Sequence, residues 1–227
     1  MKTSQQPVLR FLSGGAGTGK SYVLRALRET AERFYKSRAG ENYQQHWTMT
    51  LAPTGKASFI AGGATVRSVL HVPANQTVTF RRLDYESLDT LRTHISHVKV
   101  WLIYEILMVG HRMLSFIDQR FQEVNNSSHP FGSASVVVFG NLFQLLPVMD
   151  GFIFSDLSQS HSQVEQYSAL APNLWKTNFT MFELSTIMRQ QDSGSLAELL
   201  NRVRQGNHSE QDLELVRSRT VTVNATD

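Results

Sequence analysis

Residues 14–21 form the stretch Gly14-Gly15-Ala16-Gly17-Thr18-Gly19-Lys20-Ser21, which fits the pattern G-x-x-x-x-G-K-[ST]. An apolar run from Val8 to Leu12 comes just before it and predicts a buried strand. A helical pattern comes just after it, with four apolar residues on one face: Leu24, Leu27, Ala31 and Phe34. A strand, a glycine-rich turn and a helix in this order predict a loop that wraps around a phosphate group.

The residue types in this stretch suit a triphosphate. Glycines allow main-chain N–H groups to turn inward around the β-phosphate, and the helix N-terminus adds partial positive charge. Lys20 supplies a flexible cation for the β- and γ-phosphates, and the Ser21 hydroxyl can bind Mg²⁺. Gly14 to Ser21 are therefore the predicted nucleotide-binding residues, and ATP and Mg²⁺ are the predicted cofactors.

The rest of the chain alternates between predicted strands and helices. Apolar runs predict further strands over 47–52, 98–103, 136–139 and 179–184. Helices are predicted over 83–97, over 114–124 and in two pieces over 194–219, with loops from Pro53 and over 125–135. This alternation predicts an α/β fold, a P-loop NTPase (RecA-like) lobe with a mainly parallel sheet flanked by helices on both faces. We assign the lobe to residues 1–190 and a helical tail to residues 191–227.

Composition narrows the class of protein further. The 227 residues include no cysteine, which excludes disulfide partners and thiolate metal sites. The start of the chain is short and polar, and no apolar run approaches the roughly 20 residues that span a bilayer. We therefore expect a soluble intracellular protein, cytoplasmic or nuclear. The net charge of +3 is compatible with a phosphate-bearing partner but does not require one.

A phosphate loop also needs a carboxylate at the end of a neighbouring strand, which holds Mg²⁺ and activates water. After the strand that contains Trp101, Glu105 is the candidate for that acid and for a metal contact beside Ser21. Tyr104 stands where an aspartate is expected, and a phenol is neutral at pH 7 and a poor Mg²⁺ ligand. An ordinary strand-end carboxylate is the alternative interpretation of Glu105.

Several segments together resemble one family, the Pif1 branch of the superfamily 1 DNA helicases, which includes the helicase part of Helitron transposons. The resemblance runs over nearly the whole chain, in segments that follow the family's order: 14–21, 51–57, 62–68, 102–109, 139–148, 182–190 and 199–206. It implies an ATP-dependent helicase that moves 5′ to 3′ along single-stranded DNA. It also implies roles in DNA repair, recombination and telomere maintenance, and in a eukaryote a nuclear or mitochondrial location.

The resemblance further implies which residues contact DNA and the γ-phosphate. Those on the DNA side are Pro53, Thr54, Gly55, Lys56, Thr65, Arg67 and Ser68. Gln144 would contact the γ-phosphate or its attacking water, and Arg189 would reach the γ-phosphate. The catalytic candidates are therefore Lys20, Glu105, Gln144 and Arg189. The alternatives left open are a solvated turn over 53–56, a buried amide at Gln144 and a surface arginine at Arg189.

Some positions depart from the family pattern. Tyr104 and Asn141 replace aspartates, Leu107 replaces a serine, Leu146 replaces a proline, and Arg67 replaces the usual histidine. The family also carries an upstream glutamine that recognises adenine and a second RecA-like lobe, neither of which is recognisable in this sequence. We therefore expect weak ATP binding, slow hydrolysis or none, and no unaided unwinding.

Two other functions belong to different classes. One is a catalytically dead ATP- or DNA-binding module derived from a transposon helicase. The other is a small-molecule kinase with a phosphate loop, which gives no reason for the segments after Pro53 and Gly140. The expected partners are single-stranded DNA and ATP, with no membrane.

Overall fold

The computed structural model describes residues 6–38, 45–73, 80–142, 147, 150–154, 173–186, 188 and 194–219. The strands within these residues are β1 Leu9–Gly14, β2 Thr48–Ala52, β3 Ala64–Thr65, β4 Val100–Tyr104, β5 Ser135–Gly140 and β6 Thr180–Leu184. They form one sheet in the order β3-β2-β4-β5-β1-β6, and every neighbouring pair is parallel. Because the strands all run in one direction, their carboxyl ends meet at one edge of the sheet.

Helices connect and follow the strands. In chain order they are α1 Lys20–Lys36, α2 Gly55–Ala61, α3 Val66–Val69, α4 Tyr85–Ile95, α5 His111–Asn125, α6 Leu174–Asn178, α7 Gly194–Gln205 and α8 Glu210–Ser218. Short 3-10 helices cover Ile106–Met108 and Pro130–Ser133. Across the part of the chain that the structure describes, no helix has the length and apolar character needed to cross a membrane.

Side chains on the central strands alternate between two apolar clusters, one on each face of the sheet. On β4, Trp101 and Ile103 join the larger cluster, which α4 and α5 cover. Leu102, between them, joins the smaller cluster with Leu24 of α1 and Phe139 of β5. Both faces of the sheet are therefore buried, which explains why these strands are apolar throughout rather than at every second residue.

A buried arginine ties together the helices on the larger face. Arg120 of α5 donates hydrogen bonds to the carbonyl oxygens of Leu70 (3.1 Å) and Arg81 (3.2 Å), and it pairs with Glu123. Burial lowers the pKa of the Arg120 guanidinium, and the Glu123 carboxylate acts in the opposite direction. These contacts fix the end of α3 and the segment before α4 against α5.

The predicted fold class and the predicted strands are confirmed. The short outer strand β3, which pairs with β2, was not predicted. The apolar face predicted for α1 is only partly right, because Leu24 is buried while Leu27 and Phe34 are exposed. The smaller cluster covers only the first turns of α1. The loop predicted from Pro53 is wrong beyond Thr54, since α2 begins at the next residue.

The two helices predicted near the end of the chain are confirmed as α7 and α8, separated at Gly206. Arg202 of α7 donates to both carboxylate oxygens of Asp212 of α8, at 2.6 and 2.8 Å. This arginine holds the pKa of the Asp212 carboxyl well below its usual range, with help from the main chain of Ser209. The division into a lobe over 1–190 and a tail over 191–227 stays a prediction.

Candidate nucleotide-binding site

The predicted site residues that the structure describes follow the carboxyl ends of the strands. The phosphate loop follows β1, Pro53 follows β2, Glu105 follows β4 and Asn141 follows β5. Strand β5 lies between β1 and β4, so one strand separates the loop from Glu105. Ligands of open parallel sheets bind at this edge, and the topology therefore gathers the predicted residues where a ligand belongs.

The turn between β1 and α1 has the conformation that a phosphate loop requires. Gly17 and Gly19 have φ values of 79° and 90°, in the left-handed region that favours glycine. A Cβ atom at Gly14 would lie 2.5 Å from the hydroxyl oxygen of Thr18, so only glycine fits there. That hydroxyl donates to the carbonyl oxygen of Gly15 at 3.0 Å and closes the turn. The predicted strand, loop and helix are confirmed.

Lys20 directs its ammonium group back into the loop. The side chain is buried, and its Nζ donates to the carbonyl oxygens of Gly14 (2.8 Å) and Gly15 (2.9 Å). The N-cap residue Gly19 has no side chain that could cap α1, and the first turn of α1 contains no acidic residue. Positive charge from the lysine and from the helix N-terminus therefore converges on one side of the loop.

Tyr104 joins the end of β4 to the phosphate loop. Its hydroxyl oxygen lies 3.0 Å from that of Ser21, so one of the two groups donates to the other. Tyr104 packs against the smaller cluster on the same face of β4 as Leu102, and this face looks towards α1. The residue in the expected aspartate position thus contacts the residue predicted to hold the metal. Sequence reasoning missed this contact, although the two-residue spacing from Leu102 indicates the side on which Tyr104 lies.

Glu105 has a left-handed backbone, with φ 56° and ψ 48°, which is uncommon for a residue with a Cβ atom. Its carbonyl oxygen accepts a hydrogen bond from the amide of Met108 at 3.1 Å, which begins a 3-10 turn. Its side chain lines a cavity of about 320 Å³ with Tyr104, Thr54 and Lys56. The candidate acid and two predicted DNA-side residues therefore share one cavity.

The residues after β2 present polar groups on the surface. The Thr54 hydroxyl accepts from the amide of Ala57 at 3.2 Å as the N-cap of α2, and a hydroxyl that accepts can still donate its own hydrogen. Gly55 and Lys56 are exposed, and a Cβ atom at Gly55 would meet no atom within 4 Å. The open N-terminus of a helix, with a cation beside it, suits a phosphate group. The threonine N-cap was the sequence signal for α2.

Thr65, Arg67 and Ser68 make contacts within the chain. The Thr65 hydroxyl caps α3 by accepting from the Ser68 amide at 3.1 Å, and it donates to the Ser68 hydroxyl at 2.8 Å. The Ser68 hydroxyl in turn donates to the Thr65 carbonyl at 2.9 Å. The Arg67 guanidinium donates to the carbonyl oxygen of Pro73. These three predicted DNA contacts therefore also hold α3 and the segment that follows it.

Gln144 and Arg189 lie outside the described residues. The amide of Met188 donates to the carbonyl oxygen of Gly17 at 2.8 Å, so the chain returns to the phosphate loop after β6. Asn141 is buried at the end of β5. In the described ranges, no three His, Cys, Asp or Glu residues lie close enough together to hold a metal ion.

A parallel sheet, a glycine-rich turn after its β1 strand and a buried lysine at the start of α1 define a RecA-like P-loop nucleotide-binding domain. The sequence narrows this class further. Residues 2–214 match the family model for the PIF1-like helicase, and the chain therefore belongs to the PIF1-like helicase family.

Individual relatives agree with this assignment. The chain is 28% identical to the ATP-dependent DNA helicase RRM3 of Saccharomyces cerevisiae and 27% identical to the ATP-dependent DNA helicase Pif1 of a Psychrobacter species. Each alignment covers 86% of this chain, but only 25% and 28% of the two relatives. The chain thus spans about a quarter of the length of these relatives.

Solved structures give the same result. The crystal structure of Bacteroides Pif1 bound to single-stranded DNA superposes with a TM-score of 0.73 at 27% identity, over 98% of this chain and 48% of that one. Bacteroides Pif1 in complex with ADP-AlF4 superposes with a TM-score of 0.67 at 26% identity, over 94% and 46%. The similarity therefore extends over nearly all of this chain and about half of each solved chain.

The left-handed backbone at Glu105 leads to a stability prediction. We expect Glu105→Gly to be more stable than Glu105→Ala by about 1 kcal/mol, because glycine adopts this conformation without a Cβ clash. Both variants lack the carboxylate, so their difference isolates the backbone. The free energy of unfolding in urea is the measurement, and equal stability of the two variants would show that position 105 is not left-handed in solution.

Proposed function

We propose that this chain is the ATP-binding lobe of an ATP-dependent DNA helicase. In the intact family the motor couples ATP hydrolysis to movement along single-stranded DNA and to duplex unwinding, and in this chain we propose that this activity is impaired. The observation that carries the proposal is the loop over 14–21, which holds the buried Lys20 at the same sheet edge as the exposed start of α2. Relatives that are named ATP-dependent DNA helicases support it. A DNA substrate implies an intracellular location, whether nuclear, mitochondrial or cytoplasmic.

The phosphate loop would bind ATP through its main chain and Lys20. The Nζ atom now bound to the carbonyls of Gly14 and Gly15 would turn to the β- and γ-phosphates. In hydrolysis, the water oxygen bonds to the γ-phosphorus, the bond from that phosphorus to the bridging oxygen of ADP breaks, and Glu105 accepts the proton of the water. We further propose that Gln144 and Arg189 contact the γ-phosphate.

Mg²⁺ enters the proposal as the ion that accompanies ATP, and the residues of this chain fit it poorly. Of the two predicted protein contacts, the Ser21 hydroxyl has the Tyr104 phenol beside it instead of a carboxylate. Glu105 is then the remaining anionic contact, whereas P-loop enzymes pair the loop hydroxyl with an aspartate. The carboxylate of that aspartate is replaced here by a neutral phenol.

Single-stranded DNA would run over the start of α2. The Thr54 hydroxyl, the amide of Gly55 and the Lys56 ammonium can each donate to phosphate oxygens of the DNA backbone. Pro53 directs the chain from β2 into this turn, and Thr65, Arg67 and Ser68 would extend the same surface once their present contacts adjust. The similarity to Bacteroides Pif1, which was solved with single-stranded DNA bound, supports DNA as the ligand.

The proposed DNA surface can be tested with two lysines that lie at opposite ends of the strands, Lys56 after the carboxyl end of β2 and Lys99 before the amino end of β4. We expect Lys56→Ala to weaken binding of single-stranded DNA about three- to tenfold. The slope of the logarithm of the binding constant against the logarithm of the salt concentration should decrease in magnitude by about one, which corresponds to the loss of one phosphate contact. Lys99→Ala is the control, because this exposed lysine precedes β4 at the amino edge. Fluorescence anisotropy across a salt series measures both effects, and an equal loss in the two variants would contradict the placement.

The second candidate function is a binding module that retains the fold without turnover. The pairing of Tyr104 with Ser21 favours it, because a phenol stands where P-loop enzymes place an aspartate beside the hydroxyl that they use for their metal. In such a module, ATP or DNA would bind at the same sites, and hydrolysis would be slow or absent.

The rate of ATP hydrolysis in the native chain and in variants of Tyr104 separates the two candidate functions. We expect the native chain to turn over ATP far more slowly than once per second with single-stranded DNA present, and Tyr104→Asp to raise the rate about tenfold or more by lowering the barrier. Tyr104→Asn is the matched control, since it differs from the aspartate only in charge. Phosphate release is the measurement. DNA-stimulated turnover of several per second by the native chain would instead support the active motor.

A further inference from the structure

The contact between Tyr104 and Ser21 is built into the fold on both sides. Ser21 is the second residue of α1, whose Leu24 packs into the smaller cluster on that face of the sheet. Tyr104 is the last residue of β4 and packs against the same cluster. The two partly buried hydroxyl oxygens lie 3.0 Å apart, although 83 positions separate them in the sequence. Helix packing and strand direction therefore bring the phenol to the mouth of the phosphate loop.

The donor count of this pair suits a phosphate oxygen. A serine hydroxyl and a phenol each have one hydrogen to donate, and the bond between them uses one of the two. The other hydrogen can then be donated to an oxygen atom of a bound phosphate. A carboxylate in the place of Tyr104 could only accept, and would need a cation between itself and the phosphate.

The charges around the hydroxyl pair also favour direct contact with a phosphate group. In a P-loop enzyme the metal lies between a carboxylate and the phosphates, both of which are negative. With Tyr104 as the neighbour of Ser21, the repulsion from a carboxylate at that position is absent, and the nearest proposed carboxylate is Glu105, which lines the cavity beside α2. Positive groups on the side of the phosphate loop include Lys20 and the N-terminus of α1, whose first turn has no acidic residue. At Ser21 and Tyr104, the phosphates would therefore meet neutral donors without an intervening ion.

We infer that the Ser21–Tyr104 hydroxyl pair replaces the divalent metal at the phosphate site, so that this chain binds nucleoside triphosphates without needing Mg²⁺. The inference rests on the proposed nucleotide site and specifies how that site differs from that of a metal-dependent motor. Tyr104 is in this view a specificity-determining residue, which exchanges a metal contact for a direct hydrogen bond.

The experiment compares the dissociation constant of ATP with excess Mg²⁺ and with EDTA, measured by calorimetry on the purified chain. For the native chain, we expect the two values to agree within about threefold, because no ion bridges protein and phosphate. Tyr104→Phe should weaken binding about two- to tenfold in both media through the loss of one hydrogen bond. Tyr104→Asp should bind more than about tenfold more tightly with Mg²⁺ than with EDTA.

The control is Tyr85→Phe, which removes the same hydroxyl from an exposed tyrosine on α4 and should change neither value. If the native chain binds ATP more than about tenfold more tightly with Mg²⁺ than with EDTA, the inference is overturned, while the proposed nucleotide site stands. Unchanged affinity in Tyr104→Phe would overturn it as well. Absence of ATP binding to the native chain in either medium would instead refute the proposed nucleotide site.

Discussion

The turn between β1 and α1 is the constraint on which the rest of the site depends. Two glycines in left-handed conformations and a third with no room for a Cβ atom bend the chain tightly enough for Lys20 to reach back to the loop carbonyls. The loop carbonyls thus hold the lysine beside the proposed phosphate site, and on binding its ammonium group would exchange these two hydrogen bonds for bonds to phosphate oxygens. The amide of Met188 bonds to the carbonyl oxygen of Gly17 in the same loop, so this residue is positioned by the loop as well.

Two adjacent residues at the end of β4, Tyr104 and Glu105, make different contacts. Tyr104 contacts Ser21 beside the phosphate loop, whereas Glu105 has a left-handed backbone, and both residues line the cavity that Thr54 and Lys56 also line. One short stretch of main chain therefore joins the residue that contacts Ser21 to the cavity at the start of α2. In the proposed motor, this stretch would connect the nucleotide site to the DNA surface.

The sequence predicted the fold because the central strands β1, β4 and β5 are buried on both faces and the glycine-rich motif has one structural context. Helix α2 was missed because its buried face consists of the small residues Ala57, Ser58 and Ala61, whereas its large apolar residues, Phe59 and Ile60, are 89% and 53% exposed. The bond between Ser21 and Tyr104 joins distant positions, and the pairing of Arg67 with a carbonyl depends on the path of the chain. Neither contact follows from local spacing, which explains why the roles of these residues were less predictable than the fold.

Phosphate binding by the loop over 14–21 is tested most directly by substitution of Lys20. The dissociation constant of ATP should rise about tenfold or more in Lys20→Ala, because a charged hydrogen bond to phosphate is lost, while adenosine affinity stays the same. Lys36→Ala, at the exposed end of the same helix, should leave both constants unchanged. If Lys20→Ala remains folded and binds ATP as tightly as the native chain does, the loop is not a phosphate site and the account is wrong.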